Sequence, residues 1–214
     1  MHRLLLRRHT GRPIDTRIHD GRIAVSESNR RWCSDGFEIA CDNHERVRIA
    51  FALDCCDREA MSWIATTSGI SSDMVRDLMV EAIESRFDGG AVPTQPIEWL
   101  TDNGSPYIAR DTRSFARAIG LEPVTTSIRS PQSNGMAEAF VKTFKRDYAE
   151  RMDRRDGITV MQQLSGAFEH YNEIHPHSAL NMMSPRMFRR QSEHSVTGCR
   201  ENRATPSVKR EGMS

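Results

Sequence analysis

Trp99-Leu-Thr-Asp-Asn-Gly104 and Ser130-Pro-Gln-Ser-Asn-Gly-Met-Ala-Glu138 each set one acidic residue at the edge of an ordered element, and 35 residues lie between Asp102 and Glu138. Asp102 follows the short apolar run Ile97 to Thr101 and precedes the turn signal Asn103-Gly104. It therefore belongs at a strand end, where loops carry chemistry. Glu138 lies in the first turns of a helical pattern running from Ala137 to Arg151, announced by Ser130-Pro131 and Ser133-Asn134-Gly135. A third acid, Asp35, lies upstream in Arg31-Trp-Cys-Ser-Asp-Gly-Phe37. That stretch reads as a strand of period two, with Cys33, Asp35, Phe37 and Ile39 on one face and Trp32, Ser34, Gly36 and Glu38 on the other. An ionised Asp among Cys, Phe and Ile is costly unless something compensates it, and a bound cation would do so. Two strand carboxylates facing one helix carboxylate would form an all-oxygen nest suited to Mg²⁺ or Mn²⁺.

Each acid alone has a plainer reading. Asp and Glu make up 29 of 214 residues, so most are solvated surface charges. Asp102 suits a turn before Asn-Gly, and Glu138 suits a helix N-terminus. The joint pattern carries the expectation of a site.

The remaining elements follow from periodicity. Strands are expected over Trp32 to Ala40, Val47 to Cys55 and Ala60 to Thr66, joined as an antiparallel meander. Ser72 to Phe87 carries Met74, Val75, Leu78, Met79, Ala82 and Ile83 at helical spacing, with Ser72 or Asp73 as the cap. A strand at Ile97 to Thr101, a helix from about Thr112 to Ile119 closed by Gly120, and a strand near Pro123 to Ser127 come next. After the Glu138 helix another is expected from Val160 to Tyr171, and a helical turn at Pro185. The fold class is α/β, a mixed sheet flanked by helices.

Length allows one substantial core. Residues 1–30 read as a basic N-terminal arm, 31–190 as the core, and 191–214 as a polar C-terminal tail expected to be disordered. Net charge is only +1, but residues 1–31 hold eight Arg against three acids and residues 186–214 hold seven Lys and Arg against three acids. The middle is therefore acidic, which suits metal binding, while basic ends suit phosphate contact. Cys33, Cys41, Cys55, Cys56 and Cys199 form no C-x-x-C pair, which favours a reducing cytoplasm and argues against structural zinc. His170, His175 and His177 have no cysteine nearby in sequence to complete a zinc set. The apolar runs Leu4 to Leu6 and Ile49 to Leu53 are too short for a signal or a membrane span.

Five motifs together carry a resemblance. They are Arg31-Trp-Cys-Ser-Asp35, Phe51-Ala-Leu-Asp-Cys-Cys-Asp-Arg-Glu-Ala60, the Asp102 and Glu138 stretches, and His170-Tyr-Asn-Glu-Ile-His-Pro-His-Ser-Ala-Leu180 before Ser184-Pro185. Over roughly residues 29 to 190 the chain resembles the OrfB-type insertion-sequence transposases of the insertion-sequence-three group, in particular the insertion-sequence-two branch. Their core is similar to retroviral integrase, so the resemblance implies a ribonuclease H-like fold with five strands. It also implies a DDE transposase, a polynucleotidyl transferase for cleavage and strand transfer of DNA by two-metal catalysis. Asp35, Asp102 and Glu138 match the catalytic, metal-binding triad. Gly36-Phe37-Glu38 departs from the pattern that follows the first Asp in many members, which leaves Asp54 as a rival first ligand.

The same resemblance extends to the DNA path. Lys142 and Lys145 stand at i+4 and i+7 from Glu138, on its helix face, with Arg146 one position around. In the family such basic residues contact transposon-end DNA, whereas a solvated helix face is the plain alternative. Implied partners are transposon-end and target DNA, further copies of the chain on that DNA, and an OrfA product supplying a helix-turn-helix. The implied location is the bacterial cytoplasm, at the nucleoid. An idle or truncated DNA-binding or regulatory remnant remains an alternative function, as does a general ribonuclease H-like nuclease.

Overall fold

The structure, a computed structural model, describes residues 25–87, 91–102, 104–125 and 135–192. Among these residues five strands form one sheet in the order β3-β2-β1-β4-β5. Strands β1 (Arg31–Ala40), β2 (Arg46–Asp54) and β3 (Ala60–Thr66) make the antiparallel meander expected from alternation. Strands β4 (Ile97–Thr101) and β5 (Leu121–Thr125) then add in parallel on the other side of β1. The mixed sheet is covered on both faces. Helix α1 (Ser72–Arg86), the short α2 (Ser105–Ile108) and α3 (Arg110–Ala118) lie on one side, and α4 (Gly135–Asp147) and α5 (Gly157–Glu173) on the other.

Alternation along β1 feeds both layers. Cys33, Phe37 and Ile39 join the core beneath α4 and α5, while Trp32 joins the core beneath α1. Trp32 meets Trp99 of β4 edge-on at 6.5 Å between ring centroids. Beneath α4 the core is aromatic. Phe140 covers Phe51 at 4.4 Å, and Phe144 lies 5.4 Å from Phe37 and 4.6 Å from Phe168 of α5.

Local readings are corrected at several ends. Ser71, not Ser72 or Asp73, caps α1, its side chain accepting from the Met74 N–H, so the helix itself begins one residue earlier than the cap expected. The segment before Thr112 holds α2, which the periodicity did not announce; its start is favoured by Pro106 in the first turn. The Glu138 helix stops at Asp147 and continues as a single 3-10 turn, Ala149–Arg151. The last strand begins at Leu121, directly after Gly120, whose φ of +85° provides the left-handed step that closes α3. Most of the basic arm and nearly all of the polar tail lie outside the described residues, as do Gly89-Gly90.

The turn from β2 to β3 builds a buried ionic knot. The Arg86 side chain at the end of α1 is 1% exposed and forks onto Asp57, with Nη1 and Nη2 at 2.9 and 2.8 Å from its carboxylate oxygens. Arg86 also lies 3.3 Å from Glu59, which is gripped in turn by Arg186 at 2.7 Å and Arg189 at 2.6 Å. Those two arginines belong to the helical residues 185–192, so the knot fastens that helix to the sheet. Asn172 of α5 closes the same corner by exchanging two hydrogen bonds of 2.9 Å with the backbone of Ala60. Removing one member of such a cluster strands the others as buried charges. Arg86→Met is expected to lower unfolding free energy by about 3–5 kcal/mol; a urea midpoint indistinguishable from wild type would show that the knot does not hold the fold.

Candidate active site

The parallel pairing of β1 with β4 sets the first part of the site. Trp32 stands opposite Trp99 and Cys33 opposite Leu100, where the pairing ends, and the same offset carried two residues further would set Asp35 opposite Asp102. Asp35 is half-buried in the apolar row of β1, and Asp102 is exposed at the tip of β4. Each carboxylate holds a following backbone N–H: Asp35 Oδ1 accepts from Gly36 at 2.7 Å, and Asp102 Oδ1 accepts from Gly104 at 2.8 Å. Gly104 leaves room for this contact. A Cβ at that position would sit 2.9 Å from Asp102 Oδ1 and 3.3 Å from the Tyr107 ring.

Tyr107 of α2 reports the field between the two acids. Burial pushes its phenol up, the nearby charges of Asp35 and Asp102 push it further, and the Ser34 hydroxyl donating to its oxygen at 3.2 Å opposes them only in part. Both carboxylates thus act on one neighbour, which is the electrostatic setting that favours a cation. Carboxylate oxygens of this kind are donors suited to a hard divalent ion. Tyr107 was not singled out from the sequence; Ser105-Pro106, a helix start close after Asp102, was the available signal.

Glu138 is placed by α4. Phe51 is the cross-strand partner of Asp35, and Phe140 lies on Phe51, so the first turn of α4 stands over the row of β1 that carries Asp35. Within that turn Met136 and Ala137 are buried and Glu138 is exposed. Asp35 and Asp102 both act on Tyr107, but the triad is not closed: among the described residues no three His, Cys, Asp or Glu side chains converge on a metal position. Residues 126–134, which lead into α4, lie outside the described residues. Lys142 and Lys145 are exposed on the Glu138 face, with Lys145 Nζ 5.9 Å from the Phe37 ring centroid, two residues along β1 from Asp35. Arg146 differs, because its guanidinium is held by the neighbouring Asp147 at 2.7 and 2.6 Å.

The rival Asp54 is fully buried and committed elsewhere. Its Oδ2 accepts from the Asn29 N–H at 2.7 Å and Trp32 Nε1 at 3.1 Å, its Oδ1 from the Cys56 N–H at 2.7 Å, and Arg86 stands 3.9 Å away. Burial, then the charge of Asp57, push its carboxyl up to about 6 against the pull of Arg86 and these donors. It pairs across the sheet with Trp32, three residues before Asp35, on the side of the ionic knot. The histidines form a stacked group with Tyr171 and Tyr148, in which His175 lies 5.6 Å from the Tyr171 ring and the Tyr148 hydroxyl meets His170 Nδ1 at 3.0 Å.

Comparison with known proteins identifies the family. Residues 25–131 match one integrase core domain family and residues 119–185 another of the same description. The putative transposase InsD of insertion element IS2E from Escherichia coli K12 is 58% identical over 200 residues, covering 94% of this chain and 90% of that protein. This chain belongs to the insertion-element transposases with an integrase core. The transposase InsD of elements IS2A/D/F/H/I/K from Escherichia coli shares the same 58% identity, but the chain spans only 65% of its length. The family consists of polynucleotidyl transferases that use divalent metals to cut and join DNA. Solved structures agree in fold. The catalytic core of BIV integrase superposes with a TM-score of 0.55 at 17% identity, covering 79% of this chain and 99% of that one. The HTLV-2 integrase catalytic core in complex with magnesium gives 0.55 at 13% identity, covering 75% and 95%. The ribonuclease H-like fold and the insertion-sequence-two resemblance expected from the motifs are thus borne out.

Asp35 of β1 and Asp54 at the end of β2 separate cleanly by stability. Asp54→Ala leaves several buried donors without an acceptor, each worth about 1–3 kcal/mol, so its thermal midpoint is expected to fall well below wild type. Asp35→Asn is isosteric and half-exposed, and is expected to stay within about 0.5 kcal/mol of wild type. Thermal unfolding of both variants checks the pair, and the opposite ranking would reverse the two roles.

Proposed function

We propose that this chain cleaves and joins DNA with Asp35, Asp102 and Glu138 as its metal-binding triad. The observation that supports the reading is the β1–β4 register, whose offset carried two residues past Cys33 and Leu100 would set Asp35 opposite Asp102, with the Glu138 helix packed over β1 and β2 through Phe140 and Phe144. Two divalent ions, Mg²⁺ or Mn²⁺, would supply activation of an attacking water or 3′-hydroxyl and stabilisation of the leaving oxygen in an in-line displacement at phosphorus. The protein's part is positioning. Rigid strands and the Gly36 and Gly104 N–H groups fix the two aspartates, and the exposed Glu138 completes the set from α4. Cleavage and strand transfer share these groups and differ only in the attacking oxygen.

Lys142 and Lys145 hold the backbone phosphates of the cut strand, since they flank Glu138 on the open face of α4. Arg146 contributes less, because Asp147 already occupies its donor fork. The substrates are transposon-end and target DNA, on which copies of the chain assemble, and an OrfA product supplies the helix-turn-helix. The place of action is the bacterial cytoplasm, at the nucleoid. Among the described residues no helix is long and apolar enough to cross a membrane.

A joining assay on a pre-cut transposon end tests the triad. Asp35→Asn, Asp102→Asn and Glu138→Gln are each expected to abolish joining while keeping the fold, whereas Asp54→Asn, if folded, keeps measurable activity. Near-wild-type joining by any of the three would remove that residue from the site. A wild-type chain that binds DNA yet joins none with Mg²⁺ or Mn²⁺ would favour the idle remnant.

The lysines are tested apart from the chemistry. Lys142→Ala with Lys145→Ala is expected to weaken DNA binding and flatten its log–log salt dependence by up to about two units. An unchanged slope from low to physiological salt would move the DNA path off α4.

A further inference from the structure

On the other flank of α4 a small cavity of about 60 Å³ lies between that helix, the β2–β3 turn and the His177 loop. Its walls include Met136, Ala139, Thr143 and Tyr171, and two basic side chains, Arg58 and His177, reach it. The space is several times the roughly 10–15 Å³ that one water needs. Arg58 Nε and His177 Nε2 are both buried there without a hydrogen-bond partner among the described residues.

Arg58 is in an unusual position for its type. Its φ is +65°, a left-handed conformation that glycine adopts freely and an arginine rarely does. The acids beside it in sequence do not neutralise it: Asp57 is taken by Arg86, and Glu59 by Arg186 and Arg189. The turn therefore sends its carboxylates into the ionic knot and its one arginine toward α4. Tyr171 braces the other wall, its ring edge-on to His177 at 5.1 Å. Burial, His175 and Arg58 together hold the His177 imidazole down at about 4, so it stands neutral beside the guanidinium.

The geometry points to a seat for one DNA backbone phosphate, gripped by Arg58 with His177 as second donor, across α4 from Glu138, Lys142 and Lys145. A guanidinium whose Nε has no hydrogen-bond partner among the described residues is suited to a phosphate oxygen. Ala139 and Thr143, which line the cavity, directly follow Glu138 and Lys142, so a duplex engaged by the lysine face has its neighbouring backbone within reach of this flank. The inference rests on the reading of the chain as a DNA-joining enzyme and adds a contact outside its triad and lysine face.

Fluorescence anisotropy of a labelled duplex, titrated with the full chain at several salt concentrations without divalent metal, tests it. Arg58→Gly suits the left-handed backbone and removes the guanidinium. It is expected to keep or raise the thermal midpoint, weaken DNA binding several-fold, and reduce the log–log salt slope by about one unit. Arg58→Gln, which keeps side-chain length and loses charge, is expected to show the same loss, and Arg58→Lys to recover most of it. Affinity and slope unchanged in either folded neutral variant would overturn the phosphate seat. Inorganic phosphate that raises the thermal midpoint of wild type but not of Arg58→Gly, with coincident DNA titrations, would assign the cavity to a free anion and overturn the DNA contact. Failure of the wild-type chain to bind the duplex at all would instead sink the DNA-joining reading itself.

Discussion

The parallel pairing of β1 with β4 is the contact on which the rest of this molecule depends. It is short, from Arg31 opposite Glu98 to Cys33 opposite Leu100, yet it alone joins the antiparallel meander to the later half of the sheet. A slip of one residue would turn Asp35 away from Asp102 and push Trp32 out of its place against Trp99. The tryptophan pair guards against that slip, because both rings are buried in the same layer beneath α1. Packing on one face of the sheet thus holds the alignment of charge on the other.

Charge is distributed with the same economy. The chain has nearly equal numbers of acids and bases, but tertiary structure sorts them into different kinds of place. At one end of β1 and β2, Asp54, Asp57 and Glu59 are buried and matched by Arg86, Arg186 and Arg189. Away from that cluster, Asp35 lies further along β1 and Asp102 at the tip of β4, and the charges of both act on Tyr107. Buried acids with fitted cations stabilise a structure only when their geometry is complete, whereas acids grouped at an open end are poised for a soluble cation. The same residue type is structural at one end of a strand and chemical a few residues along it.

Helix α4 links the two ends. Its buried side, Phe140 and Phe144, belongs to an aromatic cluster with Phe37, Phe51 and Phe168, which fixes where the helix lies over the sheet. That anchoring sets the exposed side as well, so Glu138, Lys142 and Lys145 inherit their placement from the rings beneath the helix. The Arg58 and His177 cavity follows from the same seating, with the helix as its wall.

Alternation and turn chemistry were enough to read β1 through β5 to within a residue or two, because the apolar runs of most strands are bounded by turn residues such as Asp42-Asn43, Asp54 and Asp102. The placement of Asp35, Asp102 and Glu138 on two strands and a helix start was legible for the same reason. Helix α2 escaped because four residues are too few to show a period, and the cap of α1 escaped because Ser71 and Ser72 are equivalent until the backbone chooses between them. The separation of Asp54 from Asp35 lay outside local sequence altogether: both end or interrupt apolar runs, and only the approach of Arg86 from α1, with Asn29 and Trp32, seals Asp54 in the interior while Asp35 stays half-buried. Local sequence determines which residues face inward, since that depends on period alone. Tertiary structure decides which inward charges are neutralised, since that depends on partners brought from distant parts of the chain.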